Sequence, residues 1–176
     1  PPQLVVQGNS EIMMFGGAFK ITASSADSSF EIVRSAAKGF EERSLFKANP
    51  GQAFVAGALG GSFTAENPEE MGVYFFHDSP KQQSVNQTLD SIDKESDNVV
   101  VLRGKLIFRS NTTVDYEMRL EATGSDHIRF KLESSGDELS RIYLTQESSQ
   151  AEEIFGMGVQ YTFLDFKGGC VPVFTQ

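Results

Sequence analysis

"TVDYEMRLEA", residues 113–122, alternates without a break: Val114, Tyr116, Met118, Leu120 and Ala122 are set against Asp115, Glu117, Arg119 and Glu121. A period of two puts every second side chain on one face of an extended chain, so the stretch predicts a strand with one buried and one wet face. The pattern continues outward. In "HIRFKLE", residues 127–133, Ile128, Phe130 and Leu132 face one way and Arg129, Lys131 and Glu133 the other. The turn residues Thr123-Gly124-Ser125-Asp126 between the two runs predict a hairpin. A third run, "SRIYLT" at 140–145, sets Ile142 and Leu144 against Arg141 and Tyr143, after a turn at Ser134-Ser135-Gly136-Asp137. Three successive antiparallel strands are expected.

Upstream, "IMMFGGAFKIT" (12–22), "SFEIVRS" (29–35), "QAFVAGAL" (52–59), "MGVYFF" (71–76) and "NVVVLRGKLIF" (98–108) are apolar without clean alternation. That suits strands buried more deeply or kinked by glycine. Gly16-Gly17 and Gly60-Gly61 are read as bulges or tight turns. "SAAKGFEERSLF" (35–46) is the best helical candidate, but Gly39 within it and Pro50 after it fit a short helix or an irregular loop equally well. The polar segment 78–97 reads as a long connection, with room for one edge strand around Val85–Leu89. The fold class that follows is all-β with little helix, an antiparallel β-sandwich, with an eight-stranded barrel as the competing arrangement.

The totals narrow the function classes. The chain has 176 residues, 39% hydrophobic and 22% charged, which suits one globular domain. No apolar run approaches the roughly 18 residues of a spanning helix, so no membrane partner is expected. A formal charge of −9, spread along the chain, disfavours nucleic acid and anionic membrane. A single cysteine, Cys170, excludes an internal disulfide and argues against a thiolate metal site. His77 and His127 lie far apart and are read as strand residues, and no motif calls for a cofactor. The chain opens Pro1-Pro2-Gln3 without a signal-like segment, so it is read as processed or as a piece of something longer. Asn86-Gln87-Thr88 and Asn111-Thr112-Thr113 are N-glycan acceptors if the protein is secreted.

Catalytic patterns are missing: there is no G-x-S-x-G elbow, no H-E-x-x-H helix and no phosphate loop. Glu152 and Glu153 are adjacent, which on a strand points them to opposite faces and makes them a poor acid/base pair. Gly156-Met157-Gly158 lacks the third glycine of a dinucleotide loop and opens no helix. What remains is the glycine- and aromatic-rich end of the chain. "RIYL" (141–144), followed about ten residues later by "IFGMGVQYTFLDFKGGCVPVFTQ" (154–176), resembles the end of the N-terminal β-sandwich of family 31 glycoside hydrolases, nearest the sulfoquinovosidase-like branch. The residues that match are Phe155, Gly156, Gly158, Gln160, Tyr161, Phe163, Asp165, Lys167, Gly168, Pro172, Val173 and Thr175. Val159, Lys167 and Phe174 stand where members usually carry glutamate, arginine and tryptophan.

The resemblance implies a galactose-mutarotase-like supersandwich over 1–150. It implies a terminal loop over 151–176 that leads toward a (β/α)₈ barrel and leans over its active-site mouth. It implies a parent enzyme that is a retaining α-glycosidase, with both catalytic carboxylates on the barrel and none here. Gln160, Tyr161, Phe163, Asp165 and Lys167 would then lie beside the carbohydrate substrate, with Gly156, Gly158 and Gly168 shaping the loop. The residues agree with a loop that approaches a ligand. Gly156 and Gly158 allow a sharp backbone turn, Tyr161, Phe163 and Phe166 offer flat apolar faces, and Asp165 and Lys167 share a face of an extended segment. Packing against a neighbouring domain would use the same residues in the same way. The rival readings are a non-catalytic carbohydrate-binding sandwich, against which the lack of tryptophan counts, and a structural or interaction sandwich.

Overall fold

The structure is a computed structural model that describes residues 3–7, 11–16, 19–34, 42–48, 51, 53–66, 75–123, 127–136, 138–148, 150–151 and 153. The chain divides into two units, Pro1–Gln146 and Glu147–Gln176. All thirteen strands lie in the first, and the described residues contain no helix. The strands are β1 (Gln3–Gln7), β2 (Glu11–Gly16), β3 (Phe19–Ser24), β4 (Ser29–Arg34), β5 (Arg43–Ala48), β6 (Val55–Leu59), β7 (Ser62–Glu66), β8 (Phe75–Ser79), β9 (Gln82–Ser96), β10 (Val99–Phe108), β11 (Thr113–Ala122), β12 (Ile128–Ser134) and β13 (Leu139–Leu144). Every pairing is antiparallel, and the fold is all-β and sandwich-like.

Strands β1 to β5 form a meander in chain order, while the second sheet runs β12-β11-β10-β9-β6-β13. Its two edges are joined by only four residues, Ser135–Glu138, between the end of β12 and the start of β13. Five Cα steps span at most about 18 Å. A flat sheet of six strands would hold its edges roughly 24 Å apart. The sheet must therefore curl toward closure. The connection is also drawn in by bonds from Ser135 N to Asp115 O (3.1 Å), Leu139 N to Gly136 O (3.1 Å) and Gly60 N to Glu138 O (3.2 Å).

The core lies between the curled sheet and the meander. Val114, Tyr116, Met118, Leu120 and Ala122 are all buried, as the alternation at 113–122 requires, and they meet Val100, Leu102, Leu106 and Phe108 of β10. Ile21, Ala23, Phe30 and Ala48 enter the same core from the meander. Phe54 ties the two sheets together, stacked 5.1 Å from Phe30 and edge-on to Tyr116 at 6.3 Å. Paired aromatic rings at these separations add to the area they bury.

Four sequence expectations need correction. The segment 78–97 is no connection but contains all of β9, paired with β10 from Ser84 to Ser96. The helical candidate at 35–46 ends in strand β5, with 35–41 outside the described residues. β13 is antiparallel, but to β6 at the far edge of the sheet and not to β12. Within it Ile142 and Leu144 are 40% and 41% exposed while Arg141 and Tyr143 are half-buried, because the strand ends the curled sheet where its apolar side is uncovered. The β11–β12 hairpin does form, with Ala122 paired to Ile128, although Phe130 on the edge strand is 53% exposed.

Gly60 and Gly61 have φ of 51° and 101°, and a β-carbon on Gly61 would lie 2.7 Å from Pro80 Cα. Only glycine accepts that conformation without strain. The turn it makes redirects the chain from β6 into the separate β7–β8 ribbon, of which every β7 residue is exposed.

Candidate functional site

The residues expected to face a substrate, Gln160, Tyr161, Phe163, Asp165 and Lys167, with Gly156, Gly158 and Gly168, lie outside the described residues. What the described residues build is a cleft of about 480 Å³ across β9 to β12, lined by Asp90, Arg103, Asp115, Glu117 and Glu133, with Gly104 and Tyr116 among its other lining residues.

The charges follow from cross-strand register. Arg103 on β10 is directly opposite Glu117 on β11, which is opposite Glu133 on β12. Arg103 donates from Nε to Glu117 Oε2 at 2.9 Å and from Nη1 to Asp93 Oδ2 at 2.8 Å, while Lys105 Nζ lies 3.9 Å from Asp90 Oδ2. Arg119 pairs with Glu95 on the same face. These groups are half-exposed, and such pairs contribute a few tenths of a kcal/mol to about 1 kcal/mol each. Among the described residues no group of three or more His, Cys, Asp and Glu is arranged to hold a metal.

Beneath this face lies a buried polar network. β6 pairs with β9 at only two positions, Ala58–Gln83 and Leu59–Gln82, and side chains then take over from the ladder. Gly57 N donates to Ser84 Oγ at 3.0 Å and Val55 N to Gln87 Oε1 at 2.8 Å. Gln87, only 4% exposed, donates from Nε2 to the Tyr116 hydroxyl at 2.7 Å, and that hydroxyl donates to Thr88 O at 2.9 Å. Leaving any of these groups unpaired would cost about 1–3 kcal/mol, so the chain of bonds is needed once the glutamine is buried.

Gly104, opposite Tyr116 in the register, makes room for it. A β-carbon there would overlap Thr88 O and lie 2.7 Å from the Tyr116 hydroxyl. Burial pushes the Tyr116 hydroxyl well above the ordinary tyrosine range; the bond from Gln87 opposes the shift and the charge of Asp90 adds to it. The phenol therefore stays protonated and keeps donating to Thr88. The network fixes β6, β9, β10 and β11 together.

Of the histidines, His77 sits on β8 with Nε2 3.8 Å from Glu66 Oε2, both exposed, and His127 precedes β12 and is exposed. No helix among the described residues is long and apolar enough to cross a membrane. No family model, curated protein or solved structure matches the chain.

Proposed function

We propose that this chain is the N-terminal β-sandwich domain of a retaining α-glycosidase of glycoside hydrolase family 31. On this reading it supports a following (β/α)₈ barrel and lends the loop at 151–176 to the mouth of its active site. One observation carries the reading: the run Phe155, Gly156, Gly158, Gln160, Tyr161, Phe163, Asp165, Lys167, Gly168, Pro172 and Thr175, which resembles the family's motif in both residue type and spacing. The all-β, sandwich-like fold supports it, as does the position of "RIYL" in the last described strand. The carboxylates of the charged face are half-exposed and paired with Arg103, which suits a supporting domain whose catalytic carboxyls would both lie on the barrel.

The test uses the reading frame that carries this segment. The full protein should hydrolyse aryl α-glycosides, and the purified segment should not. In the full protein Asp165→Ala and Tyr161→Ala should lower kcat/KM by well over tenfold, about 1.4 kcal/mol of transition-state binding. A loss under about 1 kcal/mol would reduce the loop to packing. Turnover by the segment alone, abolished by a substitution within it, would overturn the proposal, and a reading frame without a barrel would leave a binding or structural sandwich instead.

A further inference from the structure

Two acceptor triplets for N-linked glycan occur in the chain, and the structure treats them differently. Asn111-Thr112-Thr113 closes the β10–β11 hairpin. Asn111 N donates to Phe108 O and Phe108 N to Thr112 O, both at 3.0 Å, and Asn111 has φ of 60°. These bonds describe a three-residue loop in which a tight turn is followed by one left-handed residue, a position that asparagine tolerates better than other side chains except glycine. Asn111 and Thr113 are both exposed. The amide and the hydroxyl that a transferase must reach together are therefore accessible in the folded protein.

Asn86-Gln87-Thr88 lies within β9, where Asn86 is exposed but Gln87 is buried and Thr88 half-buried, the last two bonded to neighbouring strands. Asn86 Oδ1 accepts from Gln87 N at 2.8 Å, and the Gln87 side chain is bound to Val55 N and to Tyr116. Thr88 Oγ1 accepts from Lys105 N at 3.3 Å, and Thr88 O accepts from Tyr116. Presenting this triplet to an enzyme means lifting β9 from β10 and breaking the buried network. Folding ties the threonine of the site at 86–88 into the sheet and leaves both ends of the site at 111–113 open.

We propose that Asn111 is a site of N-glycosylation and Asn86 is not, wherever the chain passes through a compartment that holds a polyprenyl-pyrophosphate-linked oligosaccharide. In the transfer, Nδ2 of Asn111 bonds to C1 of the donor sugar and the bond from C1 to the pyrophosphate oxygen breaks. The lipid pyrophosphate leaves with the electron pair, and the amide proton passes to a base of the transferase. The glycan projects from the end of the hairpin, where it displaces no packed side chain.

The test is to secrete the full chain from a glycosylating eukaryotic cell line and map peptides after enzymatic glycan release in heavy-oxygen water, which tags each formerly occupied asparagine. Occupancy at Asn111 is expected to exceed that at Asn86 severalfold. Thr113→Ala, which removes the acceptor signal and leaves Asn111 in its turn, should abolish the glycosidase-sensitive mass shift. Thr113→Ser should restore it, and Asn86→Gln should leave it unchanged. Secreted, folded protein unmodified at Asn111, or equal occupancy at the two asparagines, would overturn the assignment.

Discussion

Replacing Tyr116 by phenylalanine removes one oxygen and keeps the ring that packs on Phe54. One buried and one half-buried group then lose a partner: Gln87 Nε2, which donates to the hydroxyl at 2.7 Å, and Thr88 O, which receives from it at 2.9 Å. Each orphaned group costs about 1–3 kcal/mol, which gives about 2–4 kcal/mol when partial relaxation is allowed. In a domain of this size each kcal/mol shifts Tm by about 2–4 °C, so a fall of roughly 5–15 °C is expected in thermal melts followed by circular dichroism. The alkaline limb supplies a second readout. The folded-state pKa lies above the ordinary value of 10.0, so the stabilisation is fully present below pH 10. Above that pH the unfolded tyrosine ionises while the folded one stays protonated, and stability falls by about 1.4 kcal/mol per pH unit from this group. Tyr116→Phe should lose that part of the slope. A variant within about 0.5 kcal/mol of the parent, with an unchanged alkaline limb, would refute the network as a source of stability.

Gly104→Ala should be worse than Tyr116→Phe, by more than about 4 kcal/mol in urea unfolding or with no native ladder at all, since the added carbon overlaps backbone that cannot yield. Phe54→Ala empties the junction of the two sheets and should cost about 3–5 kcal/mol by the same assay. Arg103→Ala, despite losing two ion pairs, should cost less than about 1 kcal/mol, and the difference should shrink further in molar salt.

The burial of β11 was legible because its alternation is unbroken and one of its faces is fully covered. β9 was illegible for a reason its register states. Opposite β10 it skips Glu95, Asp90 and Val85, three bulges spaced five residues apart. Each extra residue reverses which parity faces the core, so no window longer than about four residues shows a period of two. One of its two buried positions, moreover, is held by a glutamine, whose burial is favourable only because Val55 and Tyr116 complete its bonds. Local pattern reads such a strand as a polar loop. β13 failed differently: its partner, β6, lies more than 80 residues earlier in the chain, as Ile142 opposite Gly57 shows, and a turn after a hairpin favours the nearer neighbour.

The same distinction separates the two kinds of site. A motif such as 155–175 is written in consecutive residues, so its chemistry can be read before any fold is known. The network around Tyr116 is assembled from four strands, and no single segment announces it. Its one local trace is Gly104, a glycine inside the otherwise apolar and basic run 99–108, where the loss of side-chain packing has to be offset by something that needs the space. Here that something is a phenol, held protonated by burial and donating to the Thr88 carbonyl, two residues before the bulge at Asp90. A glycine in the middle of a buried strand, followed one strand later by a tyrosine in register, is thus a pattern that connects sequence to a buried polar link. It becomes readable once the hairpin turn at 109–111 fixes which residues stand opposite each other.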